Sequence, residues 1–226
     1  MQQRTAPPRW VCNRNRARKP LFGRREPCKT MRMKPTPCSI ALLALALHLP
    51  ATHAALASGD AAPTFDAPAS LNGKAFTYSL KDALKRGPVV VYFYPSAYTG
   101  GCNLEAHTFA VQHEKFLAAG ATIVGVSLDD IGRLNTFSAD PEYCGGKIAV
   151  ASDPDGHIAR AYALAVRDAA PGRKDTRGVA IDHGFAQRST FVVTPDGRIA
   201  ATFDGLSPVE NVDHALAAVQ QLAHAN

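Results

Sequence analysis

The sequence predicts an α/β protein in which a central mixed sheet is flanked by helices. Three observations lead to this prediction. Apolar, β-branched runs at 89–94 and 121–127 are each followed by a stretch with helical spacing, which is typical of parallel strands joined by crossover helices. Two later apolar runs are joined by Pro195-Asp196-Gly197 and predict a hairpin at one side of the sheet. An amphipathic segment at 208–225 predicts a terminal helix.

The first half of the predicted domain contains an arm, two strands and two helices. An extended arm at 59–70 precedes the turn signal Asn72-Gly73, and a strand is predicted at 75–80. A short helix or turn at 81–86 stops at Gly87-Pro88, and the wholly apolar run 89–94 predicts a strand covered on both faces. Helical spacing at 102–119 ends at Gly120 and places four apolar residues on one face: Ala106, Phe109, Ala110 and Leu117.

The second half repeats the alternation. After the strand at 121–127, Asp129-Asp130 predicts a cap for a helix that runs to 138. The remaining predictions are a strand at 147–151, a turn at 153–156, a helix at 157–165, hairpin strands at 189–194 and 198–203, and the terminal helix. The polar stretch 166–188 predicts a long loop with no assigned structure.

Charge and hydropathy divide the chain into three parts. Residues 1–30 carry nine Lys and Arg and one acid, without an apolar period, and predict a basic extension or a misplaced start. Residues 31–57 have a basic start, a short apolar run and small residues, which is the pattern of a secretory signal peptide with cleavage after Ala54 or Ala57. Residues 58–226 form the predicted folded domain.

The basic character of the chain belongs to this leader. Residues 1–57 hold 11 of the 25 Lys and Arg, whereas residues 58–226 hold 14 of them against 18 acids, a formal charge of −4. The domain therefore gives no reason to expect nucleic-acid binding or stable membrane insertion. The leader predicts export to a periplasm, or a cytoplasmic protein if the apolar run is not a working signal. We expect a monomer or weak dimer.

Cys102 is the candidate nucleophile. It stands where an apolar strand, Pro95 and a short turn lead into a helix, so its sulfur meets unpaired backbone N–H groups that favour a thiolate. The Thr99 hydroxyl lies within reach of the same pocket, and Pro95 stiffens the turn. Arg188, just before the strand at 189–194, offers a fixed fork of donors to developing charge.

The form Pro-x-x-x-Thr-x-x-Cys, from Pro95 to Cys102, resembles the active-site motif of the peroxiredoxins. The flanking Tyr-Phe-Tyr-Pro at 92–95 and Glu105-Ala106 are similar to the Q-type, or bacterioferritin-comigratory, subgroup. The likeness spans roughly residues 60–222 and includes Arg188. It implies a thioredoxin-like fold and an enzyme that reduces hydrogen peroxide and organic hydroperoxides, with no cofactor and no metal.

By this resemblance, Cys102 is the peroxidatic cysteine, and Pro95, Thr99 and Arg188 form the peroxide pocket, with Glu105 in support. Two positions depart from the subgroup. Gly100 replaces a frequent proline, and His107 replaces a frequent second cysteine. The remaining candidate for a resolving cysteine is Cys144, whose disulfide with Cys102 a thioredoxin-like reductant would reopen.

Other interpretations stay open at this point. A one-cysteine peroxidase would use an external thiol, and a permanent Cys102–Cys144 disulfide would be structural. A thiol–disulfide oxidoreductase would be expected to carry Cys-x-x-Cys, but Thr99 stands three residues before Cys102. A thioredoxin-like binding protein is the third class. The histidines of the domain, including His157 and His183, show no metal-ligand spacing and predict solvated or core-edge side chains.

Overall fold

The structure, a computed structural model, describes residues 55–225. The predicted basic extension and the apolar run of the predicted signal peptide lie outside these residues. The strands begin and end as follows: β1 Asp66–Leu71, β2 Lys74–Ser79, β3 Val89–Phe93, β4 Thr122–Ser127, β5 Ala149–Ser152, β6 Val166–Arg167, β7 Phe185–Ala186, β8 Ser189–Val193 and β9 Ile199–Asp204. The helices are α1 Leu80–Leu84, α2 Gly100–Ala118, α3 Ile131–Ala139, α4 His157–Ala161 and α5 Pro208–Ala225.

Seven strands form one mixed sheet in the order β2-β1-β5-β4-β3-β8-β9. The pairs β3–β4 and β4–β5 are parallel, whereas β1–β2, β1–β5, β3–β8 and β8–β9 are antiparallel. The predicted central mixed sheet, with a hairpin at one side, is therefore confirmed. Among residues 55–225 no helix is both long enough and apolar enough to span a bilayer.

Strand β3 lies inside the sheet, between β4 and β8, and is buried along its whole length. Its successive side chains point to opposite faces, because strand side chains alternate. Val89, Val91 and Phe93 join one apolar cluster with residues of α1 and α4, whereas Val90 and Tyr92 join a second cluster with residues of α2, α3 and α5. The loop that follows β3 therefore begins from a strand whose side chains pack into both apolar clusters.

Three predictions of local structure were wrong. Residues 66–71 are not an arm but strand β1, which pairs with both β2 and β5. On α2, the predicted buried residue Leu117 is 45% exposed, and Phe116 is buried in its place. Each helical residue turns the chain by 100°, so Phe116, seven residues after Phe109, returns to the same face, whereas Leu117 lies 80° away from it. The stretch 166–188 is not structureless, since β6 and β7 pair antiparallel within it.

Candidate active site

Cys102 lies in the first turn of α2, as predicted. Strand β3 ends at Phe93, and helix α2 begins at Gly100 with Thr99 as its N-cap. The Asn103 N–H donates to the Thr99 carbonyl at 2.8 Å, and the Thr99 side chain makes no cap hydrogen bond. Cys102 is only 2% exposed. Its thiol therefore stands beside N–H groups at the positive end of a helix and is shielded from bulk water.

Arg188 reaches the sulfur from the neighbouring strand. The register pairs Phe93 with Ser189, so the end of β3 and the start of β8 lie side by side. From there, Nη2 of Arg188 donates to Sγ of Cys102 at 3.2 Å. The guanidinium also packs against Gly101, where a Cβ would lie 3.4 Å from Nη2 of Arg188, an ordinary van der Waals distance. A fixed positive charge therefore faces the thiol, where it stabilises a thiolate.

Glu105, one turn along α2 from Cys102, holds the arginine in place. Nη1 of Arg188 donates to Oε2 of Glu105, and the carboxylate is fully buried. Its other oxygen, Oε1, accepts from Nδ2 of Asn211 at 3.2 Å. Asn211 on α5 was not found from the sequence, because nothing in a helix pattern shows that one polar residue on the buried face reaches a carboxylate on another helix.

Thr99 and Pro95 line a cavity beside Cys102. The Thr99 hydroxyl donates to the Ser96 carbonyl at 2.8 Å, which leaves its oxygen free to accept a hydrogen bond from the O–H of a bound peroxide. The cavity has a volume of about 620 Å³. Its other walls come from 165–173 and 185–188, the two ends of the stretch that the sequence left unassigned.

Asp129 is a buried anchor for the loop between Pro95 and Thr99. The predicted cap at Asp129-Asp130 is confirmed, since the Asp130 side chain accepts from the Arg133 N–H at the start of α3. Asp129 is fully buried, and its carboxylate contacts the loop instead. Its carboxylate accepts from Ser96 Oγ and from the Ala97 N–H, both at 2.8 Å. Burial acts to raise the pKa of Asp129, but its hydrogen bonds, led by that from His183, outweigh burial and hold the pKa below its usual range.

Residues 175–177 hold the same loop from outside. Tyr98 has a positive φ of 61°, a conformation that costs free energy for a residue with a Cβ. Its carbonyl accepts two hydrogen bonds at 2.9 Å, from the N–H and the hydroxyl of Thr176. The Arg177 guanidinium lies over the Tyr98 ring, with Cζ 3.2 Å from the centroid. These contacts offset the conformational free-energy cost at Tyr98, the residue directly before Thr99.

Arg133 joins Asp129 to this outer segment. Its Nη2 donates to the Ala97 carbonyl at 2.8 Å and to Oδ2 of Asp175 at 2.9 Å, and its Nε lies 2.8 Å from Oδ1 of Asp129. Asp175 also accepts from Nε and Nη2 of Arg177. The sequence could not reveal this network, since its members come from three segments that are far apart in the chain.

His183 lies half-buried at the edge of the core, one of the two predicted positions, and is a charged member of the network. Its Nδ1 lies 2.8 Å from the Gly184 carbonyl and its Nε2 lies 2.8 Å from Oδ1 of Asp129. Both of these oxygens are acceptors, so both ring nitrogens carry a proton. Burial acts to lower the pKa of His183, but the hydrogen bond and the charge of Asp129 raise the pKa above its ordinary value of 6.5.

This arrangement predicts that the domain loses stability as pH rises. A raised pKa in the folded state means that the stabilisation is complete below pH 6.5 and is lost as pH rises through the folded pKa. We expect the free energy of unfolding, measured in urea, to fall as pH rises above 6.5. His183→Gln should flatten this dependence, and His224→Gln, at an exposed position, should leave it unchanged. An equal slope in wild type and His183→Gln would contradict the assignment.

Cys144 lies after α3 in the turn region 140–147 and is fully buried. Cys102 and Cys144 are both free thiols. Burial, with a smaller contribution from the charge of Asp140, raises the pKa of the Cys144 thiol far above its usual range. Cys144 is therefore a protonated thiol in this conformation. His107, which stands where many similar sequences have a second cysteine, lies with Nδ1 2.9 Å from the Glu142 carbonyl in the same region.

One group of side chains at the β5–α4 turn has the types and spacing of metal ligands, which the sequence interpretation of the histidines missed. Ligand atoms of Asp153, Asp155 and His157 lie within 4.8 Å of one another. Asp153 accepts from the N–H groups of Ile158 and Ala159 at 3.1 and 2.9 Å, which caps α4. These hydrogen bonds explain why the Asp153 carboxylate is buried, since it caps the N-terminal end of α4.

Comparison with known proteins is consistent with this geometry. The sequence pattern of the AhpC/TSA family matches residues 58–202. Peroxiredoxin Bcp of Xanthomonas campestris is 32% identical over 164 residues, which cover 73% of this chain and 93% of that protein. Among solved structures, peroxidoxin BcpB of Mycobacterium tuberculosis superposes with a TM-score of 0.61 at 26% identity, over 74% of this chain and 98% of that one. Peroxiredoxin Q of Xanthomonas campestris superposes with a TM-score of 0.55 at 29% identity, over 69% of this chain and 90% of that one.

Proposed function

Since this chain belongs to the AhpC/TSA family, the family of the peroxiredoxins, we propose that Cys102 is the thiol with which it reduces peroxides. The family identifies the chain as a thiol peroxidase with a thioredoxin-like fold. The assignment of Cys102 is supported by one observation above all, the 3.2 Å contact between its Sγ and Nη2 of Arg188. Nucleophilic attack by sulfur requires the thiolate, and a guanidinium at this distance stabilises it.

The first step is a displacement at oxygen. The Cys102 thiolate attacks the terminal oxygen of the peroxide, so that an S–O bond forms, the O–O bond breaks and the electron pair leaves with the other oxygen. That oxygen takes up a proton and departs as water or an alcohol, and Cys102 becomes a sulfenic acid. Arg188 stabilises the negative charge that develops on both oxygens. The Thr99 oxygen accepts from the peroxide O–H and orients it for attack.

The second step uses Cys144. The Cys144 thiol loses its proton and its sulfur attacks the sulfenic sulfur of Cys102, so that an S–S bond forms and the S–O bond breaks, and the hydroxyl takes up a proton and leaves as water. A dithiol reductant of the thioredoxin type then attacks the disulfide and restores both thiols. Because Cys144 is enclosed in the core, the 140–147 region must first open. Gly145 and Gly146, both with positive φ, are suited to such a rearrangement because glycine adopts left-handed backbone without a steric penalty.

Counting thiols after a single oxidation tests this scheme. The reduced domain is mixed with one equivalent of hydrogen peroxide, and free thiols are titrated within seconds. We expect the loss of two thiols in wild type. Loss of one thiol with a stable sulfenic acid would instead support the one-cysteine mechanism, which the burial of Cys144 favours. No loss of thiols would contradict the proposed function of Cys102.

Export remains part of the proposal, and the contacts of residues 55–58 favour one of the two predicted cleavage sites. The Leu56 carbonyl accepts from the Thr202 hydroxyl at 2.6 Å, and Ala55 and Leu56 pack against the core. Cleavage after Ala57 would remove these contacts, whereas cleavage after Ala54 would keep them. We therefore expect the mature chain to begin at Ala55, as read by intact mass after expression with the full leader. A monomer or weak dimer stays a prediction, which sedimentation would measure.

A further inference from the structure

The cavity beside Cys102 is much larger than hydrogen peroxide requires. Its volume is about 620 Å³, whereas a water molecule in the liquid takes up about 30 Å³. Cavities of this size hold small organic ligands. Ala165, Ala170 and Phe185 contribute apolar wall on the side formed by the ends of the 166–188 stretch. The cavity therefore has room, and a suitable surface, for the organic group of a hydroperoxide.

Two arginines besides Arg188 line the same cavity. Arg167 and Arg173 contribute to its wall, together with one carboxylate, Asp168. In residues 55–225 no carboxylate lies within ion-pair distance of Arg167 or Arg173, whereas Arg188 is paired with Glu105. The cavity thus has two guanidinium groups available to a ligand and only one acid that opposes them.

Backbone hydrogen bonds fix the positions of both arginines in the chain fold. Arg167 lies on β6 opposite Phe185 on β7, and side chains at directly opposed positions of an antiparallel pair share a face. Arg173 lies in a turn in which its own N–H donates to the Ala170 carbonyl at 3.2 Å and its carbonyl accepts from the Ile181 N–H at 2.9 Å. Both arginines therefore belong to an ordered wall that also presents Phe185.

We propose that this cavity is a subsite for organic hydroperoxides that carry a carboxylate, with Arg167 and Arg173 as the residues that recognise the anion. The inference rests on the proposed function, because the hydroperoxide end must face Cys102. The apolar part of the substrate then lies against Ala165 and Phe185, and the carboxylate meets the guanidinium groups. Both arginines are exposed, so each contact discriminates modestly and weakens as salt is added.

Two matched peroxides test the proposal. Cumene hydroperoxide bearing a para-carboxylate and its methyl ester have the same reacting group and ring, and differ in charge. For the reduced full domain we expect kcat/KM to be about fivefold higher for the carboxylate than for the ester at low ionic strength. This ratio corresponds to the upper end of the free-energy range of an exposed ion pair. The ratio should approach one in 0.5 M salt, because screening is then nearly complete at the distances of exposed pairs. Equal values at low salt would overturn the proposal.

Substitutions test which residues cause the preference for the carboxylate. Arg167→Gln/Arg173→Gln should remove the preference for the carboxylate over the methyl ester. Asp168→Asn should increase the preference, because it removes the opposing charge. Arg198→Gln serves as the matched control, since this exposed arginine on the β8–β9 turn lies outside the cavity wall. A preference that survives in the double variant, or that falls equally in Arg198→Gln, would overturn the role of the two arginines.

A binding measurement separates this subsite from the peroxidase activity. In Cys102→Ser, calorimetry with the product alcohol, 4-(2-hydroxypropan-2-yl)benzoate, should detect binding that Arg167→Gln/Arg173→Gln weakens several-fold. Binding without peroxide consumption in wild type would refute Cys102 as the nucleophile and keep the anion subsite. Peroxide consumption without a charge preference or binding would refute the subsite and keep the peroxidase.

Discussion

Replacing Cys144 with serine or alanine is expected to stop thioredoxin-driven turnover while leaving the first reaction with peroxide intact. The first step needs only Cys102, Thr99 and Arg188, and none of these side chains contacts Cys144 through a hydrogen bond. The second step has no other thiol in residues 55–225 to form the disulfide. We expect steady-state turnover with thioredoxin to fall to background, against an unchanged rate constant for single-turnover oxidation of Cys102.

Two variants are needed because the site is buried. A serine hydroxyl at position 144 has no evident partner in this apolar cluster, and leaving it unpaired costs about 1–3 kcal/mol, whereas alanine avoids that cost. Urea unfolding checks that both variants remain folded. Cys102→Ser provides the comparison, because it should abolish even the first oxidation. Continued turnover of Cys144→Ala with thioredoxin would show that the reductant attacks the sulfenic acid directly and that Cys144 is not the resolving thiol.

Opening of the 140–147 region has a recognisable structural cost. Tyr143, next to Cys144, packs against Tyr98 and Phe137 with ring centroids 5.6 and 5.5 Å away. Tyr98 in turn is held by Thr176 and Arg177. The loop that presents Thr99 and the region that encloses Cys144 therefore share one aromatic contact. Moving Tyr143 to release Cys144 removes a packing partner from the residue that positions the peroxide pocket.

The parts of the fold that were predictable are those in which local pattern and tertiary environment agree. Strand β3 is apolar at each position, as expected for a strand with both faces covered, and α2 begins after the short turn that follows Pro95, with Gly100 and Gly101 as its first two residues. Cys102 and Thr99 belong to a short contiguous segment whose order alone indicates a strand–loop–helix junction. Arg188 was placed beside them by the resemblance to the peroxiredoxins, because a position before an apolar strand does not by itself distinguish it from a surface charge at a strand end.

The parts that were not predictable depend on contacts between distant segments. Asp129 follows a strand and precedes a helix, so local pattern favours a cap, and only the folded chain shows that Asp130 takes that role. His183 has no local feature that distinguishes it from a solvated histidine. Its charge follows from two acceptors, one of which, Asp129, is 54 residues away in the chain. The cavity wall at 165–173 forms only when β6 pairs with β7 across 17 intervening residues.

Arg188→Gln is expected to have the largest effect on chemistry short of removing Cys102. The substitution removes the charge that faces the sulfur and the leaving oxygen. Losing one preorganised donor of this kind typically costs about 10²–10³ in rate. We expect the second-order rate constant for hydrogen peroxide to fall by that order, measured by stopped flow on the reduced domain. Arg86→Gln, at an exposed arginine far from the sulfur in the chain, should react like wild type.

The same substitution also leaves Glu105 buried without its cationic partner, so a loss of rate alone could reflect a disturbed fold. Breaking a buried ion pair costs about 3–5 kcal/mol, and since the Arg188 side chain is 20% exposed we expect about 2 kcal/mol here. Arg188→Gln/Glu105→Gln removes both charges and lets the two amides pair with each other and with Asn211. We expect the double variant to regain most of the free energy of unfolding.

Rate and stability should therefore separate in the double variant. If Arg188 acts on the reacting sulfur, restoring the stability leaves the rate constant low, because no positive charge faces Cys102. If Arg188 serves only to neutralise Glu105, the rate constant recovers together with the stability. Arg188→Lys adds a third point, since it keeps the charge but lacks the fork that contacts Cys102 and Glu105 at once. We expect its rate constant to lie between those of wild type and Arg188→Gln, and recovery of the full rate in the double variant would contradict the catalytic assignment of Arg188.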